Sequence, residues 1–228
     1  MISNPFATSE GLDIIQTLKT TFPNEIEGKE AVQYLKSIDC KWRQSEWIGF
    51  YIEVAGRDAL IRNLGGSFGD RFGNTAFDYK KSYNWDIKAH SHQNPKGNHV
   101  PWAILNDLEA IQSSISQGGV GFVVCCGSSK FDLDGQFKIW HDNLKGKTSS
   151  YELTRIERNA PSRTRKVSFD PIRWICFFIE TETQLEDGIK GGWFKYFQEG
   201  MRNADGSPRR KKIMANLDLL PVSIVLKS

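Results

Sequence analysis

The chain has 228 residues, 30 Lys and Arg against 27 Asp and Glu, a formal net charge of +3 and 39% hydrophobic residues. That balance is ordinary for a soluble globular protein, leaves room for a substantial core, and is too small to establish a polyanionic partner by itself. No apolar run is long enough to span a bilayer, the start carries no signal-peptide pattern, and Cys40, Cys125, Cys126 and Cys176 show no CxxC spacing. Buried reduced thiols, a cytoplasmic setting and no membrane association are the expectations.

Thr8-Ser9-Glu10 reads as a helix start, with Leu12, Ile15 and Leu18 at helical spacing and Pro23-Asn24 as its break. Ala31, Val32, Tyr34, Leu35 and Ile38 mark a second amphipathic helix, for scaffolding or a dimer contact. Ser45 is placed to cap a third, with an apolar stripe of Trp47, Phe50, Tyr51 and Val54. Glu53 lies off that stripe, either as a surface partner of Arg57 at i+4 or as an acid turned to a site. The glycine-rich stretch Leu64 to Asn74 lacks the Gly-Lys-Ser/Thr of a nucleotide loop. It reads as a flexible loop offering Arg62, Arg71 and Asn74.

Phe77 to Lys80, then Lys81 to Asn84, then Trp85 to Ala89 read as two short strands joined by a polar turn. Trp85, Ile87 and Ala89 alternate with Asp86 and Lys88, so the latter two share one face. If the strands pair, Asp78 comes near Asp86, and two carboxylates and an ammonium converge. Two hard oxygen ligands suit Mg²⁺, and a lysine beside them orients or helps deprotonate a water or neutralises transition-state charge. The alternative is a surface hairpin with solvated charges. Acid-x-Lys alone is a common triplet: Glu27-Gly28-Lys29 is a second instance, without a preceding strand.

An acid, a short gap and Asp-x-Lys on an apolar strand resembles the motif of the PD-(D/E)xK nucleases, type II restriction endonucleases in particular, with Phe77 standing where that motif has proline. The resemblance covers the hairpin and one upstream helix. It implies Mg²⁺ held by Asp78, Asp86 and the carbonyl of Ile87, with Lys88 acting on the water and Glu53 as an auxiliary acid.

After the hairpin, His90, His92 and His99 raise a zinc alternative that lacks an obvious fourth ligand. Pro101 reads as the first turn of a long helix with Ile104, Leu105, Leu108, Ile111 and Ile115 inward, ended by Gly118-Gly119. Val120 to Cys126 is a buried strand, so strand–helix–strand implies a right-handed parallel crossover. Phe131 to Trp140, with Asp134-Gly135 at its middle, reads as a hairpin in which Asp132 and Asp134 serve the turn. Tyr151 to Arg158 alternates like a strand and leads into the basic loop Asn159 to Lys166. Arg155, Arg158, Asn159, Arg163, Arg165 and Lys166 are its candidate DNA contacts, since Arg grips phosphate or guanine and Asn reads adenine. Ile172 to Ile179 is a further strand, Trp193 to Phe197 a helix, Asp205 to Lys212 a second basic loop with Arg209 and Arg210, and Leu217 to Leu226 a last strand.

The expected fold is α/β, a mixed central sheet flanked by helices and restriction-endonuclease-like. It forms one domain over 1–228: an N-terminal helical part (1–44), a catalytic core (45–126), and the remaining sheet with DNA-recognition loops (127–228). The expected activity is Mg²⁺-dependent, sequence-specific cleavage of double-stranded DNA by a homodimer. The alternatives are a non-catalytic DNA-binding module, or a repair or junction nuclease without base specificity.

Overall fold

The computed structural model describes residues 4–72, 75–146, 148, 150–202, 206–221 and 225–226. In chain order the elements are α1 (Pro5–Thr21), β1 (Ile26–Glu27), α2 (Gly28–Ser37), α3 (Trp47–Leu64), β2 (Arg71–Phe72), β3 (Thr75–Ala76), β4 (Tyr79–Lys80), β5 (Asn84–Ser91) and β6 (Trp102–Asp107). Then come α4 (Leu108–Ile115), β7 (Val120–Phe131), α5 (Gln136–Lys145), α6 (Ser150–Glu157), β8 (Lys166–Ile179), α7 (Glu182–Lys190), β9 (Phe194–Phe197), β10 (Lys212–Asn216) and β11 (Val225–Leu226). The chain is thus mixed α/β.

The central sheet runs β1-β8-β7-β5-β4, with β11 also on β8. β5 and β7 are parallel, and the other pairings are antiparallel. Because β7 is central, both of its faces must be covered, and its sequence is apolar at every position from Val120 to Cys126 except Gly121. Val123 and Cys125 face one core with Trp85, Ile87 and Phe178, beneath α1, α2 and α3. Phe122, Val124 and Cys126 face a second core with Phe177, beneath α4, α7 and the small sheet β6-β10-β9. Gly121 is required by packing: a Cβ there would lie 2.0 Å from Trp85 Cε3.

The hairpin, the parallel crossover into β7 and the strand ending at Ile179 form where the pattern places them. Helix boundaries shift: α1 begins at Pro5 under the Asn4 side chain, which accepts from the amides of Phe6 and Ala7, and α3 has Glu46, not Ser45, at its cap.

Five local expectations are overturned, each by tertiary pairing or capping. Residues 102–107 are a strand because β10 pairs with them; Ala103 and Leu105 point inward while Ile104 is 43% exposed. The helix begins only at Leu108. The expected hairpin Phe131 to Trp140 is instead the start of α5: Asp132 accepts from the amides of Phe137 and Lys138, and buried Phe137 and His141 have helical spacing. Tyr151 to Arg158 is largely helical, since Leu153 and Ile156 are both exposed and Glu152 grips Arg155 one turn on. Trp193 to Phe197 contains β9, paired with β10, and the helix precedes it, capped by Thr181. Of the expected last strand, Leu217 to Leu219 form a turn, Val225–Leu226 are β11, and residues 222–224 lie outside those described.

The glycine-rich stretch is not a free loop. Ser67 pairs with Lys80, whose ammonium lies 2.6 Å from Asp70, and Asn84 holds Asp70 through both of its amide atoms. It therefore covers the outer edge of β4. Asn74, one of its expected contacts, lies outside the described residues, as does Asp205 of the second basic loop.

The hairpin is fixed from a distance by Glu10 of α1. Its buried carboxylate accepts from Trp85 Nε1 at 2.7 Å and from the amides of Ser82 and Tyr83 at 3.0 and 3.3 Å. Glu10→Ala leaves three donors without their acceptor and is expected to lower stability by about 2–4 kcal/mol. Urea unfolding measures this; an unchanged midpoint would show that the clamp contributes nothing.

Candidate active site

Asp78 precedes β4, and its amide donates to Trp85 O at 3.1 Å. Its Oδ2 accepts from the Ile87 amide at 2.7 Å, which fixes the carboxylate against the next strand. In an extended strand the Ile87 carbonyl faces the same edge as its amide. Alternation along β5 puts Trp85 and Ile87 under the helices and turns Asp86 and Lys88 the other way, toward β6. There Asp86 Oδ2 meets Lys88 Nζ at 2.8 Å and accepts from Asn106 Nδ2 at 3.2 Å. Asn106 is itself oriented, because its Oδ1 accepts from the Asp107 amide.

Asp86 is 1% exposed, and its Oδ1 has no donor among the described residues. The Asp78 and Asp86 carboxyls lie within hydrogen-bonding reach of each other. Burial pushes both above the ordinary carboxylate range, and their mutual proximity adds to this at Asp86, while Lys88 works against it. Burial also opposes the Lys88 charge, but Asp86, Asp78 and Glu53 outweigh it and raise its pKa. With its side chain 23% exposed, Lys88 connects the buried pair to solvent. A proton shared between the carboxyls, or a cation between them, would satisfy the orphan oxygen.

Among the described residues no three His, Cys, Asp or Glu side chains converge as a metal cage. Two buried carboxylates with an unpaired oxygen and a nearby main-chain carbonyl are nevertheless the donor set with which Mg²⁺ is commonly content. The residues fit that ion.

Glu53 on α3 lies within electrostatic range of Asp78 and Lys88 without a hydrogen bond to either among the described residues. The i+4 alternative is not formed: Arg57 pairs with Asp58 and stacks over Phe68. Glu27 and Lys29 are exposed, with Lys29 over the Trp140 ring. His90 Nε2 is bound to Val100 O and His99 Nε2 to Asp218, so these rings are occupied by protein partners.

The basic residues divide into two places. Arg155 lies on α6 with Glu152 and the Ala160 carbonyl, Arg158 and Asn159 are exposed in the turn after it, and Arg163 is exposed. Arg165 turns inward toward Asp142, and Lys166 pairs with Glu46. Arg209 is tied to the Arg202 carbonyl, whereas Arg210 and Lys212 reach Asp107 at 3.3 and 3.6 Å. Asp107 also accepts from Thr75 at 2.5 Å. Asp107, which holds Arg210 and Lys212 of the late basic run, follows Asn106 in sequence. The sequence does not single out Asn106 and Asp107, because the helix expected from Pro101 covers them; a polar pair closing an alternating apolar run is the signal they carry.

The raised acids make stability pH-dependent. Between an unfolded Asp pKa of about 4 and the pair's titration at about 7 to 8, the folded state holds protons the unfolded chain has released, so this contribution falls as pH rises. His90 and His141, held low chiefly by burial, act oppositely at mildly acidic pH. A comparison with Asp78→Asn/Asp86→Asn cancels their part. Wild type is expected to lose on the order of 2 kcal/mol more than the double variant between pH 5 and 8.5 in urea unfolding; equal losses would mean that the pair is not protonated in the fold.

Compared with protein-family models, curated proteins and solved structures, the chain gives no significant match to any.

Proposed function

We infer that the protein is a Mg²⁺-dependent endonuclease of the PD-(D/E)xK type that cuts double-stranded DNA at specific sites, on a restriction-endonuclease-like fold. The observation that carries this reading is the convergence of Asp78, Asp86 and Lys88 on one buried spot, with Asp86 Oδ1 unpaired. A surface hairpin with solvated charges would show none of this.

Asp78, Asp86 and the Ile87 carbonyl would hold Mg²⁺, which when bound supplies Lewis-acid polarisation of the phosphodiester and counter-charge at the leaving oxygen. Lys88, held cationic by its acidic neighbours, supports the negative charge that grows on the equatorial phosphate oxygens, a role better suited to it than that of a base. Glu53 is the auxiliary acid. Asn106 holds Asp86 in orientation. Hydrolysis is a direct displacement: a water oxygen bonds phosphorus, the bond to the 3′ oxygen breaks, and the water's proton is released as the 3′ oxygen gains one.

Arg210 and Lys212, beside Asp107, are suited to phosphates entering this site, and exposed Arg158, Asn159 and Arg163 offer further contacts. For a palindromic target, two copies related by a two-fold axis place one acid pair on each strand.

Plasmid DNA incubated with protein and Mg²⁺ is expected to give fragments whose sequenced ends share a motif. Asp86→Ala or Asp78→Ala should abolish cutting, Lys88→Ala should slow it by about 100-fold or more, and Lys29→Ala should leave it unchanged. Cleavage undiminished in Asp86→Ala would remove the acid pair from the mechanism. Ca²⁺ is expected to support binding without efficient hydrolysis, because it prefers looser, higher coordination. Mg²⁺ should also raise the melting temperature of wild type but not of Asp86→Asn.

A further inference from the structure

A cavity of about 700 Å³ lies apart from the acid pair and shares no lining residue with it. Its walls come from the segment before α3, from α5 and α6, and from the loop leading into β8. Six cationic side chains line it against two carboxylates, Asp142 and Glu152.

The carboxylates are already shared. Asp142 receives Lys138 at 2.8 Å and Lys145 at 2.9 Å, with Arg165 at 3.7 Å. Glu152 is held by Arg155 through two bonds and approached by Lys138 at 3.4 Å. Arg43 and Arg163 have no carboxylate partner among the described residues, Arg43 resting on the Trp42 ring. The Arg165 side chain is 11% exposed, and its buried Nε has no acceptor among the described residues. Burial draws the Lys145 pKa below its ordinary value and the Arg165 charge adds to this, whereas Asp142 and Glu152 raise that of Lys138.

Six cations against two carboxylates leave the wall net positive; several negative charges held close together would balance it. The planar forks of arginine match phosphate oxygens bidentately. The volume is that of a small-molecule site, and its concavity suits linked phosphates better than the convex, spaced backbone of a duplex. We propose that this cavity binds a ligand carrying two or more linked phosphates, such as a nucleoside di- or triphosphate, at a site separate from the acid pair. The inference does not rest on the cleavage reading.

Calorimetry of the whole protein tests it, with pyrophosphate, tripolyphosphate and ATP at fixed ionic strength, without divalent metal and with sulfate as control. One ligand per chain is expected, bound more tightly than sulfate and weakened about tenfold or more in Arg43→Ala/Arg163→Ala. Both residues are exposed, so the fold is retained, as a thermal melt will show. Asp86→Asn should bind as wild type does. Equal affinity for tripolyphosphate and ATP assigns recognition to the phosphates alone, and tighter ATP adds the nucleoside; both support the site. Binding no tighter than sulfate, binding indifferent to the double variant, or loss of duplex DNA binding in that variant with no polyphosphate binding would each overturn it.

Discussion

Two carboxylates removed from water and set against one another are the arrangement on which the rest depends. Like charges at hydrogen-bonding distance in a medium of low polarisability repel strongly, so one proton, one cation or one ammonium must intervene. Lys88 supplies part of that compensation, and the Ile87 amide another part at Asp78. The remainder is left open at Asp86 Oδ1. A chain retaining so unfavourable a pairing needs a scaffold stiff enough to keep the acids from swinging out to solvent. The Glu10 clamp on the turn and the Asn106 amide on Asp86 provide that stiffness from opposite sides of the sheet.

The two sides do different work. The helical face, with Trp85 and Ile87 packed beneath α1 and α3, holds β5 in place through apolar burial. The opposite face is polar at Asn84, which bonds Asp70 and Ser114, and again at Asp86, where β6 ends on Asn106 and Asp107. Asp107 gathers Thr75, Arg210 and Lys212, so cations from near the end of the chain are anchored beside acids from its first half. The small sheet thus anchors these cations on Asp107, next in sequence to the Asn106 that holds Asp86.

The hairpin was legible in the sequence because its information is local: five residues of strict alternation, and an acid within reach across a short turn. Residues 102–107 were not, since Leu105 satisfies a helical stripe and a strand's inner face equally, and the deciding partner, β10, lies about a hundred residues on. Asp132 misled for a related reason: Asp-x-Asp-Gly chemistry serves a helix start as well as a hairpin. In α6, Tyr151 and Leu153 alternate with Glu152 and Thr154 as in a strand, although Ile156 follows Leu153 at helical spacing and both Leu153 and Ile156 are exposed. The site's acids and lysine were thus readable, while its supporting amide and the basic platform required knowledge of which strands pair.

The position of β7 has a consequence for synthesis. Its partners are β5, complete by Ser91, and β8, which ends only at Ile179. A nascent chain that has emerged only as far as residue 165 carries a twelve-residue strand with one open edge and apolar side chains on both faces. That is a ready template for pairing with another nascent chain. Strand β1, made early, also waits for β8 before it has a partner. Assembly therefore proceeds late and cooperatively, and truncations between residues 131 and 179 should yield aggregating fragments in place of a smaller folded core.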